Sequence, residues 1–84
     1  MKVTKLSSID WFTSMNRLSI GAFYLLNVLH RYDVDISDDS LMAITNMGLS
    51  THRKYKRELV DVGYLSIDNV GRGKYEYKVG EING

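Results

Sequence analysis

The sequence predicts an α+β domain in which three helices lead into a β-hairpin. Two observations predict it. Apolar residues recur at helical spacing across residues 19–32 and again across 38–62. After Gly63 the period changes to two, and the two alternating runs are separated by Gly71-Arg72-Gly73-Lys74. The chain has 84 residues, enough for one domain with a modest core.

Residues 1–17 read as an N-terminal arm packing on that core. Val3 and Leu6 suit a short extended piece, and Ile9, Trp11, Phe12 and Met15 form a bulky apolar cluster. Trp11, the single Trp, is expected to anchor the arm. The main domain is expected over residues 18–79 and a flexible tail over 80–84.

The first clear helix spans 19–32, with Ser19 as N-cap. Ala22, Phe23, Leu25, Leu26, Val28, Leu29 and Tyr32 give it an apolar surface broad enough for a central helix. His30 is expected to be partly exposed, and Arg31 suits the negative end of the helix dipole. Residues 33–37 break the helix, and the alternation of Asp33, Val34, Asp35 and Ile36 allows a very short strand.

Asp38 to Gly63 organises the rest. A helix capped by Ser37 carries Leu41, Ile44 and Thr45, with Asp38 and Asp39 well placed in its first turn. Leu41 and Ile44 are three apart and are expected to share a face. A tight turn follows at Asn46-Met47-Gly48-Leu49, where Gly48 is expected to take the left-handed cap. Ser50 is expected to cap the next helix, whose inward stripe is Tyr55, Leu59 and Val62 at i, i+4 and i+7. Gly63 ends it. Helix, glycine turn, Ser cap and helix make a helix-turn-helix.

The second of these helices carries its charges against the dipole. Arg53, Lys54, Lys56 and Arg57 fill its first half with no acid among them, and Glu58 and Asp61 come only afterwards. Each misplaced exposed charge costs roughly 0.3–1 kcal/mol at low salt. Stability alone would favour the reverse order, whereas a helix that presents cations to phosphate needs this one.

After Gly63, Leu65 and Ile67 point to one side of a strand, as do Tyr75, Tyr77 and Val79 on the next. The glycines between them permit the positive φ angles of a hairpin turn, and Arg72 and Lys74 put cations at its tip. A helix-turn-helix followed by such a hairpin is a winged helix.

Read as a unit, residues 9–79 resemble the winged helix-turn-helix domains in the N-terminal parts of many phage and plasmid replication proteins and related regulators. The resemblance rests on Leu18-Ser19-x-Gly21-Ala22, the apolar helix ending in an Asp-rich loop, Gly48-Leu49-Ser50, the run from Glu58 to Leu65, and the basic stretch Gly71 to Tyr77. It implies a winged-helix fold with three helices followed by a hairpin wing. It implies duplex DNA as partner, in transcription regulation or as a replication accessory of phage or plasmid type.

On that basis the DNA-binding candidates are Ser50, Thr51, His52, Arg53, Lys54, Lys56, Arg57, Arg72 and Lys74. Arg53 and Arg57 lie opposite Tyr55 and suit guanine or phosphate. The free N–H groups at Ser50 suit phosphate. The remaining cations suit the DNA backbone or the minor groove. Against this stand a net charge of only +1 and the acids Asp38 and Asp39, which would repel phosphate. The basic character is local: residues 1–49 sum to −1 and residues 50–84 to +2. One small monomer reads a short site, so specific reading would require a homodimer or a tandem array, although no long helix or heptad offers a dimer seam.

The alternative is a small winged-helix adaptor or inhibitor that binds a host transcription or replication protein. Its support is the two-signed surface, with the acidic stretch 33–39 set against a basic helix. Enzyme activity is not expected, because no nucleophile–base pair, carboxylate pair or phosphate loop is recognisable. No cofactor or metal is expected. There is no Cys, and His30 and His52 have no further ligand at metal spacing. Lack of Cys also suits a reducing cytoplasm. Neither a membrane span nor a signal-peptide core is visible.

Overall fold

The computed structural model describes residues 2–5, 8–31 and 37–82. Within them the chain runs β1 (Lys2–Lys5), α1 (Trp11–Arg17), α2 (Ile20–Arg31), α3 (Asp38–Thr45), α4 (Leu49–Val62), β2 (Leu65–Gly71) and β3 (Lys74–Val79). The architecture is α+β, with four helices and one three-stranded sheet among the described residues. The expected count of three helices is corrected by α1, inside the segment read as an arm. Asp10 starts it by accepting the Thr13 amide at 3.1 Å, the bond that chiefly holds the Asp10 carboxyl below its ordinary pKa. The short strand expected near residues 33–36 lies outside the described residues.

The sheet order is β1-β3-β2. β2 and β3 form the expected antiparallel hairpin, with Leu65 opposite Val79 and Ile67 opposite Tyr77. Gly73 takes φ 64° in its turn. β1 lies parallel to β3, with Val3 beside Tyr77. Val3, Tyr77, Val79 and Leu65 thereby reach one core with Leu25, Leu26 and Leu29 of α2. Burial fades along the hairpin: Leu65 and Val79 are buried at its base, while Ile67 and Tyr75 are exposed towards the tip. Trp11 packs on this core edge-on to Phe23 and His30, at ring separations of 6.0 and 5.2 Å.

α2 is capped as expected, with the Ser19 hydroxyl accepting the Ala22 amide. Its first turn lies against α4, where a Cβ on Gly21 would collide with the Tyr55 ring. Glu58 clamps the same crossing by accepting the Ser19 amide at 2.7 Å and its hydroxyl at 2.8 Å. Ser37 caps α3 as expected. The turn differs in detail from expectation. Asn46, at φ 57°, takes the left-handed cap, and Gly48, at φ −74°, is the N-cap of α4. Asn tolerates that conformation through its short polar side chain, which leaves Gly48 free to be extended. α4 therefore begins at Leu49, so Ser50 lies inside the first turn and is not its cap. Leu41 is fully buried but Ile44 is 41% exposed, so the shared face expected for them does not form a common buried stripe.

Within the segment expected as a flexible tail, the Gly80 and Ile82 amides donate to the Tyr64 and Gly63 carbonyls. Glu81 accepts the Asp10 amide at 3.0 Å. No helix among the described residues is long and apolar enough to cross a membrane.

Candidate nucleic-acid interface

α4 separates its side chains into an inward and an outward set. Leu59 is fully buried, and Tyr55 and Val62 pack against the core beside it. Ser50, Thr51, Arg53, Lys54 and Arg57 are exposed. Arg53 and Arg57 are one turn apart and share a face. Arg72 and Lys74 are exposed at the hairpin turn. Among the described residues, none of Arg53, Lys54, Arg57, Arg72 and Lys74 makes an ion pair; Lys54 lies over the Tyr55 ring at 5.7 Å.

Of the expected DNA contacts, His52 is corrected to a core residue and Lys56 is already engaged within the protein. His52 is 1% exposed, and Lys56 has a side chain only 17% exposed. The cause is helical phase. Seven residues turn the helix through about 700°, so His52 falls within about 20° of Leu59 and must point inward. Lys56, about 40° from His52 and about 60° from Leu59, lies at the edge of that side and faces α3 and β3.

There the two meet a carboxylate and a phenol. Asp38 Oδ1 pairs with His52 Nε2 at 2.9 Å, accepts from Lys56 Nζ at 3.2 Å and accepts from Tyr77 Oη at 3.4 Å. Lys56 also donates to Tyr77 Oη at 2.9 Å, with its ammonium 5.4 Å from the ring centre. One cluster thus ties the start of α3, the middle of α4 and strand β3. Burial pushes the Asp38 carboxyl up, but the hydrogen bonds and charges of His52 and Lys56 outweigh it and hold it below its ordinary value. Burial pushes Lys56 down, and Tyr77 and Asp38 more than restore it, leaving it raised. Burial is the first cause raising Tyr77. With Nε2–H donating to Asp38, His52 Nδ1 is left buried with no hydrogen-bond partner. Asp38, expected to repel phosphate, spends its charge on these partners.

The outward face of α4 continues into an open groove against β2. Arg53, Lys56, Arg57, Val60 and Asp61 line it from the helix and Ile67 from the strand. The structure therefore brings Arg53, Lys56 and Arg57 together. Ser50, Thr51 and Lys54 lie outside that lining, as do Arg72 and Lys74 of the hairpin turn. No group of three or more His, Asp or Glu among the described residues is placed to hold a metal ion.

The parts that sequence reasoning missed are Asp38 and Tyr77 as partners of α4. For His52 and Lys56 the signal was present in their spacing from Leu59. No protein family, curated protein or solved structure matches the chain.

Proposed function

We propose that the chain is a winged helix-turn-helix protein that binds duplex DNA, with α4 as the reading helix and the β2–β3 hairpin as the wing. The role in view is transcription regulation or replication of phage or plasmid type, in the cytoplasm. The observation that carries this is the outward face of α4: Arg53, Lys54 and Arg57 are exposed and make no ion pair among the described residues. The acids of the same helix come later, at Glu58, engaged by Ser19, and Asp61. These cations stand in the second and third turns of α4, and unpaired cations grouped on one exposed helix face suit phosphate. Gly48 supports the reading too. It caps α4 without a side-chain bond, so the amides of the first turn have no side-chain cap and remain open to an anion.

In this arrangement Arg53 and Arg57 reach base edges or phosphates, with Ser50, Thr51 and Lys54 beside them. Arg72 and Lys74 reach the DNA backbone from the hairpin turn. The test is fluorescence anisotropy of the full chain with a labelled random duplex at low salt. Micromolar binding is expected, falling at least about 100-fold in the Arg53→Glu/Arg57→Glu double variant. Equal binding by the double variant, or none by the parent, sinks the proposal.

A further inference from the structure

The groove between α4 and β2 holds more than cations. Val60 and Ile67 line it while 40% and 38% exposed, and Asp61 stands at the same end as Val60. A phosphate backbone has little to offer two branched apolar side chains, and it is repelled by a carboxylate. Lys56 is already engaged by Asp38 and Tyr77, so Arg53 and Arg57 supply the groove's available charge. The pattern along the helix is cation, cation, apolar, acid. From Arg53 to Val60 it covers about 10 Å, the reach of about three extended residues.

We propose that this groove docks a short acidic segment of a partner protein that carries one large apolar side chain. That side chain covers Val60 and Ile67. Carboxylates on one side of it meet Arg53 and Arg57, where Arg grips carboxylate through paired N–H bonds. Asp61 sets the direction, because a carboxylate placed beyond the apolar side chain would face it. Charge complementarity selects an acidic partner over a second copy. Two copies meeting groove to groove would bring four arginines against only two Asp61 carboxylates, leaving positive charge unbalanced across the seam. The inference stands whether or not the chain binds DNA. If it does, the two ligands compete for Arg53 and Arg57, and the partner displaces the duplex.

The experiment uses the full chain and a fluorescein-labelled heptapeptide with three Asp or Glu residues on one side of a single Phe. A second peptide has Ser in place of the Phe. Binding of the Phe peptide is read by anisotropy at about 150 mM salt, where exposed charges alone are well screened. The expected result is saturable binding, at least about fivefold weaker for the Ser peptide, matching loss of a partly buried aromatic ring. Ile67→Ser and, separately, Val60→Ser should remove that preference, each checked for a native far-ultraviolet spectrum. Arg53→Glu/Arg57→Glu should abolish binding of both peptides. Three results overturn the inference: equal affinity for the two peptides, a preference untouched by both Ser variants, or no binding up to about 1 mM, the scale of bare encounter. Self-association of the unliganded chain that the Phe peptide fails to disrupt also overturns it, in favour of a second copy. The random duplex is titrated against the same Ser variants and should bind them unchanged, so failure of the DNA proposal is read separately.

Discussion

Asp38 Oδ1 is the meeting point of three side chains from three elements, His52, Lys56 and Tyr77. Truncating His52 to Ala removes a fully packed ring and one of these bonds. The loss should cost about 2–3 kcal/mol, read as a lower urea midpoint with unchanged m value. A DNA contact at this position would instead show as lost affinity with stability intact, and that outcome would reverse the assignment of His52 to the core. The carboxylate makes a second prediction. Its pKa is lowered on folding, so its contribution is full above the ordinary carboxylate value and is lost as pH falls through the lowered one. Asp38→Asn should therefore flatten the acid limb of stability below about pH 4. At neutral pH it should cost only about 1 kcal/mol, since the carboxylate is nearly half exposed and partly screened. An unchanged acid limb in thermal melts of the variant would refute this. Lys56 and Tyr77 are both raised, so their contribution is full below their ordinary values and lost as pH climbs through the raised ones. Part of the cluster was legible in the sequence. His52 and Lys56 follow from the phase of Leu59, but Asp38 looked complete as a helix-dipole acid and gave no sign of a second task.

At the scale of elements, α4 is positioned by its neighbours more than by its own ends. Gly21 lets the Tyr55 ring lie against α2, and Glu58 holds the start of α2 from across the crossing. Its own N-cap, Gly48, makes no side-chain bond, and a Cβ there would meet nothing within 4 Å. Gly48 is extended, at φ −74° and ψ 168°, which any residue can adopt. Gly48→Ser and Gly48→Asp should therefore each stabilise the protein by about 0.5–1.5 kcal/mol, through a capping bond and a less flexible unfolded chain. They should part company on duplex DNA. Asp places a carboxylate where phosphate would sit and should weaken binding, while Ser should leave it near parental. Thermal melts and anisotropy on the same samples check both halves, and equal affinities would remove the start of α4 from the interface. The helices and the hairpin were legible because their periods are local. The turn was legible only in outline, since Asn46 and Gly48 both suit a left-handed position and the sequence does not rank them. α1 was missed because Trp11, Phe12 and Met15 do not form a single buried stripe: Phe12 and Met15 are exposed at 74% and 50%.

For the whole molecule, a net charge of +1 implies little attraction of DNA from a distance. Binding must rest on contacts made at the surface, and these are countable. With Lys56 spent on Asp38 and Tyr77, the exposed candidates are Arg53, Lys54, Arg57, Arg72 and Lys74. Five phosphate contacts give a log–log salt slope of about −4.5, a fall of about 500-fold between 50 and 200 mM. A slope near −1 would show that most of these cations stay in solvent. The sheet was the least legible part of the fold. Its hairpin is local, but nothing in residues 2–5 names residues 76–79 as their neighbours, and the pairing exists only in three dimensions. That pairing also orders events in time. A ribosome makes β1 before α1 to α4 and β3 after them, so a growing chain can form these helices while Val3 still has no strand to lie against. The sheet can close only once residue 79 has left the exit tunnel, and until then the core stays open along the side that Val3 and Tyr77 will seal.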